Sequence, residues 1–243
     1  MLDFVLPETL AKYFSVKLFG RGAAMDEAQG DPQKVWKIIH KKASTTPLIA
    51  PHQVHGTAVL KPKMLYALPL RPKADGVFLK YDSPVCASLR FADCTPVVVA
   101  GTSPVPWLFI LHSGYVGTVK NIAENALIRE MERGNIDTAG EMWAWIAPSI
   151  CSKCYSRKKK GDPSTRKGLE VFSPENWKES GDFIFFDIQS QIANQLEAAG
   201  LSKEHIYTMR RCTHCENDLF YSYRGGDAAS RNFLLAYATN VSL

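Results

Sequence analysis

The sequence predicts a domain of mixed α/β type, because strand-like segments alternate with segments of helical spacing. Apolar side chains recur at every second position of residues 85–91, as they do in a half-buried strand. Residues 107–111 are apolar throughout, which is typical of a strand covered on both faces. A glycine-bracketed turn at residues 113–117 leads to residues 121–133, where apolar side chains recur at near-helical spacing. The order strand, turn, helix indicates mixed helix and sheet content.

The other elements are predicted along the whole chain. Residues 31–42 open with Asp31-Pro32, a cap and a first-turn proline, and place apolar side chains on one face, which predicts a helix. Residues 188–199 predict a second helix that ends at Gly200. The remaining predicted strands are residues 58–60, 76–79, 96–100, 142–146, 183–186, 220–223 and 233–239.

Length and composition favour one folded domain over residues 1–243. The chain is 46% hydrophobic and 22% charged, the balance of an ordinary globular protein. Its first residues lack the basic and apolar regions of a secretory signal. The longest apolar run, residues 105–111, is far shorter than the roughly 20 residues that cross a bilayer. We therefore expect a cytoplasmic protein with no membrane partner.

The net charge of +5 comes largely from one basic segment. Its residues are Arg157, Lys158, Lys159, Lys160, Arg166 and Lys167. Because Gly, Asp, Pro and Ser lie among them, we interpret the segment as a solvated loop in preference to a surface for phosphate-bearing partners. Nucleic acid is accordingly not the expected partner.

Six cysteines are present, and the expected cytoplasmic location favours reduced thiols and metal ligation over disulfides. Cys151-x-x-Cys154 and Cys212-x-x-Cys215 together form the Cys₄ pattern of a structural zinc site, although the two pairs are far apart in sequence. Combined with the basic segment, this pattern gives a rival hypothesis, a zinc-stapled module that binds nucleic acid. A disulfide between two of these cysteines is a third possibility.

Three other residues form a candidate metal site. His55, Cys94 and His112 each stand at a break in a strand-like segment, where ligands collect in mixed sheets. Two imidazoles and a thiolate suit zinc and leave a fourth coordination position for water or substrate. His52 competes with His55, but the glycine after His55 permits an unusual turn and favours it. Spacing alone leaves open that the three residues are unrelated.

A series of short motifs supports this site. They are Gln53-Val54-His55-Gly56-Thr57, Ala74-Asp75-Gly76, Ala92-Asp93-Cys94-Thr95-Pro96, His112-Ser113-Gly114, Ala147-Pro148-Ser149-Ile150, Cys154-Tyr155, Phe186-Asp187-Ile188, Arg211-Cys212-Thr213, Glu216-Asn217 and Phe220-Tyr221-Ser222-Tyr223-Arg224. In this order they resemble the YfiH family, which was long labelled as multicopper polyphenol oxidases or laccases and was later associated with zinc-dependent purine nucleoside phosphorylase and adenosine deaminase activity. The resemblance covers most of the chain from residue 50 onward.

The resemblance implies an α+β fold built as a four-layer α/β/β/α sandwich, with His55, Cys94 and His112 as metal ligands and catalytic residues. It implies phosphorolysis of adenosine, inosine, guanosine or methylthioadenosine to a free base and ribose 1-phosphate, together with deamination of adenosine. Purine nucleosides and phosphate are then the expected substrates, and zinc is expected in preference to copper.

Arginines and aspartates near these motifs are candidates for further roles. Arg224 and Arg231 are candidates for contacts with phosphate or ribose. Asp75 is a candidate for contact with substrate, and both Asp75 and Asp93 are candidates for orienting a ligand or accepting a proton. The competing interpretation is that each aspartate caps a turn.

The chain departs from the family pattern at several positions. The arginine that follows the last ligand in the family is Val116 here, and the glutamate after the Cys-Tyr pair is Ser156. Trp36-Lys37 aligns where relatives carry Asn-Arg. The metal ligands are intact, but one expected cation is missing, which bears on phosphate binding and substrate choice.

The copper chemistry suggested by the older family label is a further rival. A blue-copper centre would use two histidines and a cysteine. The chain has six histidines, so four would remain, fewer than a trinuclear copper cluster generally requires. The sequence therefore favours zinc over a true multicopper oxidase.

Overall fold

The structure is a computed structural model that describes residues 1–39, 46–138 and 140–241. Within this part of the chain the helices are α1 (Glu8–Ala11), α2 (Ala23–Ala28), α3 (Pro32–Ile39), α4 (Tyr115–Val119), α5 (Ile122–Glu132), α6 (Pro163–Val171) and α7 (Ile188–Ala198). The strands are β1 (Leu2–Asp3), β2 (Phe14–Phe19), β3 (Leu48–Ile49), β4 (Val59–Leu60), β5 (Gly76–Lys80), β6 (Cys86–Phe91), β7 (Thr95–Gly101), β8 (Trp107–Ser113), β9 (Met142–Ile146), β10 (Ser156–Lys158), β11 (Trp177–Ser180), β12 (Phe183–Phe186), β13 (Ile206–Thr208) and β14 (Asn232–Ala238).

The strands form two large mixed sheets and a small one. The six-stranded sheet has the order β13-β9-β7-β8-β5-β4, and the five-stranded sheet has the order β1-β2-β14-β6-β3. The small sheet has the order β10-β12-β11. At the centre of the six-stranded sheet β7 and β8 are antiparallel, with Pro96 opposite His112.

Alternation along β8 explains why this strand is apolar on both faces. Leu108 and Ile110 point into the core between the two large sheets, where they meet side chains such as Val16 and Leu89. Phe109 and the other odd-numbered residues of β8 point the opposite way, into a core shared with α5 and α7. All seven residues of β8 are buried.

A third core lies on the outer face of the five-stranded sheet. There Met25 and Ala28 of α2 and Val35 of α3 pack against Phe233 and Leu235 of β14. The order of layers is therefore helices, five-stranded sheet, six-stranded sheet, helices. This confirms the four-layer α/β/β/α sandwich. No helix among the described residues is both long enough and apolar enough to cross a membrane.

Most predicted elements are present, with small shifts at their ends. The helix predicted at residues 31–42 is α3, and residues 40–42 lie outside the described residues. His112, expected just after a strand, lies within β8, because β7 pairs with β8 as far as Thr95 opposite Ser113. The predicted turn at residues 113–117 contains the start of α4.

The prediction of a strand at residues 220–223 is wrong. This segment is irregular, because side chains from elsewhere take up its backbone hydrogen bonds. The Tyr221 amide donates to Oδ1 of Asn232 at 3.0 Å, and Nδ2 of Asn232 donates to the carbonyls of Tyr221 at 2.9 Å and Phe91 at 3.2 Å. The buried Asn232 amide thus holds the C-terminal loop against the end of β6.

Asn232→Ala tests this anchor. The substitution leaves buried backbone groups of Tyr221 and Phe91 without partners, and an unsatisfied buried polar group costs about 1–3 kcal/mol. We expect the free energy of unfolding to fall by roughly 2–3 kcal/mol in chemical denaturation. The control is Asn125→Ala on the exposed face of α5, where a single exposed hydrogen bond to the Lys120 carbonyl is lost. Equal stability of the two variants would contradict the anchoring role.

Candidate metal centre

The sheet topology brings three separated residues together at one end of β7 and β8. Cys94 immediately precedes β7, His112 lies in β8, and His55 lies in the loop between β3 and β4. Their candidate ligand atoms lie within 4.8 Å of one another. The rings of His55 and His112 have centroids 4.9 Å apart. Because β7 and β8 are paired and buried, the positions of Cys94 and His112 are fixed by the sheet.

A buried carboxylate orients His112. Oδ1 of Asp75 lies 2.8 Å from Nδ1 of His112, and Asp75 is 0% exposed. Burial by itself would raise the pKa of the Asp75 carboxyl, but hydrogen bonds from His112 and from the Gly56 and Val54 amides outweigh it and lower the pKa to about 2. The carboxylate therefore accepts the Nδ1 proton of His112, and Nε2 is left free to bind a metal.

The same carboxylate shapes the turn that carries His55. Asp75 accepts hydrogen bonds from the amides of His55 at 2.9 Å and Gly56 at 2.7 Å. His55 adopts a left-handed conformation with φ of 56°, so the unusual turn is at His55 itself and not at the glycine after it. A Cβ on residue 56 would lie 3.4 Å from Oδ2 of Asp75, which is an ordinary van der Waals contact, so this approach does not itself require glycine. Lys120 donates to the His55 carbonyl at 3.0 Å.

Cys94 is held between two tight backbone segments. Gly114 lies directly against its sulfur, and a Cβ at Gly114 would overlap the Cys94 Sγ. On the other side Asp93 adopts a left-handed conformation with φ of 81°. The thiol is therefore flanked by Asp93 in the turn before β7 and by Gly114 in the loop after β8.

Asp93 anchors the C-terminal segment to the metal centre. Its carboxylate accepts hydrogen bonds from the hydroxyls of Thr213 at 2.8 Å and Ser222 at 2.6 Å, and from the Arg224 amide at 2.7 Å. Its backbone carbonyl accepts from the Ile150 amide at 3.0 Å. These contacts agree with the interpretation of Asp93 as a turn cap. The groups that it binds belong to the segment from Thr213 to Arg224, which is far away in sequence.

The three candidate ligands open into a cavity of about 450 Å³. It is lined by Gln53, His55, Arg90, Ala92, Asp93, Cys94, His112, Tyr155, Tyr223, Arg224, Ala229 and Arg231. The lining combines metal-binding side chains, cations and aromatic rings, which is the composition of a site for a polar ligand with a planar group.

Arginines give this cavity a positive wall. Burial, and then the charges of Arg71 and Arg231, lower the pKa of Arg90 to about 10, and Asp31 offsets this only in part. Arg90 donates to the Gly30 carbonyl at 2.7 Å, a neutral partner. The guanidinium of Arg231 likewise donates to backbone carbonyls. An anion bound between Arg90 and Arg231 would relieve their mutual repulsion.

Aromatic rings line the cavity beside a further arginine. The Arg224 guanidinium lies 5.1 Å from the centroid of the Tyr155 ring and donates to the Ser156 carbonyl at 3.2 Å. Tyr223 is 65% exposed, an unusual position for a large ring. Burial raises the pKa of Tyr155, which therefore stays a neutral phenol.

The structure brings together His55, Cys94, His112, Arg224 and Arg231, all of which line one cavity. The substrate contact expected of Asp75 does not fit its position, because this residue is fully buried behind His112.

Val116 packs against the core that the six-stranded sheet shares with α5 and α7, so residue 116 brings no cation to the cavity. Sequence reasoning missed Arg90, Tyr155 and Tyr223. A signal for Arg90 was available, because it is the one charged residue of strand β6.

Fold and site together define a class, an α/β/β/α sandwich with a His/Cys/His cluster at the floor of a cationic cavity. Residues 21–234 match the family described as multi-copper polyphenol oxidoreductase laccase. The chain belongs to this family, which confirms the resemblance to the YfiH family.

Curated relatives carry the name of one enzyme. The purine nucleoside phosphorylase YlmD of Geobacillus stearothermophilus is 31% identical over 68% of this chain and 60% of its own length. The purine nucleoside phosphorylase YfiH of Escherichia coli K12 is 30% identical over 74% of this chain and 69% of its own length. The chain thus spans less than two thirds of the first of these relatives.

Solved structures share the fold. The crystal structure of YlmD from Geobacillus stearothermophilus has a TM-score of 0.77 at 21% identity, covering 95% of this chain and 93% of that chain. The crystal structure of Bacillus licheniformis hypothetical protein YfiH has a TM-score of 0.75 at 20% identity, covering 92% of both chains.

Asp75→Asn tests how the metal centre is organised. The asparagine side chain has only one acceptor oxygen. Its NH₂ group must therefore face either His112 or the backbone amides of the loop, and both of these donate hydrogen bonds to Asp75. Loss of such a partner typically weakens metal binding roughly 10- to 100-fold. We expect that loss in a chelator competition with zinc, with the fold checked by circular dichroism. The exposed Asp82→Asn is the control, and equal zinc affinity of the two variants would contradict the role of Asp75.

Proposed function

We propose that this chain is a zinc-dependent purine nucleoside phosphorylase. The observation that carries the proposal is the shared cavity, in which a His/Cys/His cluster lies beside Arg90, Arg231 and two tyrosine rings. The curated relatives named as purine nucleoside phosphorylases support it. The donor set fits zinc, which commonly binds two imidazoles and a thiolate and leaves one position open.

The proposed reaction exchanges a bond to nitrogen for a bond to oxygen. A phosphate oxygen forms a bond to C1′ of the ribose while the bond from C1′ to the purine nitrogen breaks. The electron pair leaves with the base, which takes up a proton. The products are ribose 1-phosphate and the free base.

The side chains of the cavity divide these tasks. Arg90 and Arg231 hold the phosphate, because their charges are poorly neutralised without an anion. Tyr223 and the Tyr155 ring with its stacked Arg224 offer surfaces for the planar base. When bound, the metal supplies positive charge that polarises a substrate group or water. His55, Cys94 and His112 hold the metal at the floor of the same cavity.

A chromatographic assay with adenosine and inosine tests the proposal. We expect adenine and hypoxanthine to be released only when phosphate is present, together with ribose 1-phosphate. Cys94→Ser removes a metal ligand and is expected to lose both this activity and one bound zinc ion per chain. Base release at equal rates with and without phosphate would indicate hydrolysis and contradict the proposed reaction. Full activity in Cys94→Ser would place the chemistry elsewhere.

The same assay addresses adenosine deamination, another activity associated with the family. Adenosine deaminase activity would convert adenosine to inosine without phosphate, and we propose it as a side reaction of the same site.

Copper-dependent oxidation of phenols is the rival. Within residues 1–39, 46–138 and 140–241, the groups able to hold a metal are the His/Cys/His cluster and a Cys₄ cluster. Neither is a histidine-rich site of the trinuclear type. We therefore expect no phenol oxidation by the copper-loaded protein.

Arg90→Gln tests the phosphate site. A hydrogen bond to a charged group contributes about 1.5–3 kcal/mol, so we expect KM for phosphate to rise roughly 10- to 150-fold. KM for the nucleoside should change far less, and Arg90→Lys, which keeps the charge, should lie between wild type and Arg90→Gln. Arg129→Gln, on the exposed face of α5, is the matched control. An unchanged KM for phosphate in Arg90→Gln would remove Arg90 from the phosphate site.

A further inference from the structure

Two Cys-x-x-Cys turns meet next to the cavity wall. The first contains Cys151 and Cys154, and the second contains Cys212 and Cys215, 61 residues further on. The four sulfur atoms lie within 4.8 Å of one another, and all four cysteines are free thiols. None of them lines the cavity, so this cluster is separate from the His/Cys/His centre.

The geometry of the cluster suits a tetrahedral metal ion. A zinc–sulfur bond is about 2.3 Å, so the edges of a ZnS₄ tetrahedron are about 3.8 Å. The Sγ atoms of Cys154 and Cys215 are 3.4 Å apart, close to this edge and well beyond the roughly 2.05 Å of a disulfide bond. All four sulfurs therefore fit around one ion with little movement.

Backbone hydrogen bonds orient the sulfurs. The amides of Cys151 and Cys215 donate to the Cys212 Sγ at 3.2 and 3.4 Å, so each turn contributes one donor to the same sulfur. Amides that point at a sulfur favour the thiolate over the thiol. In the first turn the Cys151 carbonyl accepts from the amides of Cys154 and Tyr155 at 3.0 and 2.9 Å, which folds the turn back on itself.

Other contacts hold the second turn in place without a metal. Glu216 accepts from the Cys212 amide at 3.2 Å and from Nε of Arg211 at 2.8 Å. Ser149 and Cys212 form an isolated parallel bridge, so the chains that carry the two turns run side by side. The arrangement of the four thiols is therefore supported from both sides.

From these observations we propose that Cys151, Cys154, Cys212 and Cys215 form a second metal site, a closed Cys₄ zinc site with a structural role. Four protein ligands leave no open coordination position, which distinguishes structural zinc from catalytic zinc. The site links the first turn to the segment from Thr213 to Arg224, which Asp93 also binds. The first turn leads directly into Tyr155, a residue of the cavity wall. It thereby fixes one wall of the cavity.

This placement puts the Cys₄ pattern, which also gave the rival hypothesis of a zinc-stapled module that binds nucleic acid, in the same fold as the His/Cys/His cluster. The Cys₄ cluster and the His/Cys/His cluster belong to the same sandwich, and Asp93 connects them through Thr213 on one side and the adjacent Cys94 on the other. The two metal sites have different donor sets, so substitutions can empty one and leave the other filled.

Metal content of purified variants tests the proposal. We expect two zinc ions per chain in the wild type, one in Cys94→Ala and one in Cys154→Ser/Cys215→Ser. Cys86→Ala is the matched control, because Cys86 is buried in β6 outside both clusters, and it should retain two. In Cys94→Ala, X-ray absorption at the zinc edge should show sulfur neighbours only, at about 2.3 Å. This readout needs no enzymatic activity and is independent of the proposed reaction.

Several results would overturn the proposal. Equal zinc content in Cys154→Ser/Cys215→Ser and wild type would mean that these cysteines hold no metal. Nitrogen or oxygen neighbours of the zinc in Cys94→Ala would exclude a Cys₄ site, and iron in place of zinc would overturn the identity of the metal, since a tetrahedral S₄ site also binds iron. A disulfide between Cys154 and Cys215, detected by mass spectrometry of the freshly purified wild type, would replace the metal site with a covalent link.

Discussion

The buried hydrogen bond between Asp75 and His112 is the interaction on which the metal centre depends. A carboxylate without solvent exposure is costly unless its oxygens are fully used. Here they accept from the imidazole of His112 and from amides of the turn that carries His55. One charge thus fixes the tautomer of one candidate ligand and the backbone of another. A positive ion at the cluster would complete the neutralisation of this buried charge.

A second carboxylate organises the other half of the cavity in a similar way. Asp93 directly precedes Cys94 and accepts hydrogen bonds from Thr213, Ser222 and Arg224. It therefore couples the position of the thiol to the C-terminal segment that carries the cavity arginines. Both aspartates stand just before a strand of the six-stranded sheet. The strands of the sheet fix the positions of the two carboxylates, and their hydrogen bonds in turn fix loops that have no regular structure of their own.

Part of this arrangement could be predicted from the sequence, because hydrophobic period and strand ends are local signals. They indicated α3, the central strands and the position of Cys94 next to the start of β7, whereas His112 lies within β8 and His55 lies in a loop. The failure at residues 220–223 has a physical cause, since in this aromatic-rich segment the amides of Tyr221 and Ser222 donate to the side chains of Asn232 and Asp227 and not to a neighbouring strand. The position of Asp75 behind a ligand was equally hidden, because only the tertiary fold shows which side of His112 it occupies.

The cavity is lined by arginines even though residue 116 is a valine. Val116 belongs to the first turn of α4 and is a partly buried side chain packed against the core that the six-stranded sheet shares with α5 and α7. The cations of this cavity come instead from Arg90 on β6 and from Arg224 and Arg231 on the C-terminal segment. These elements belong to the five-stranded sheet and its connections, while the candidate metal ligands Cys94 and His112 lie next to β7 and within β8 of the six-stranded sheet. The cavity therefore combines candidate metal ligands and arginines from different layers, and the contacts of Asp93 connect these two sides.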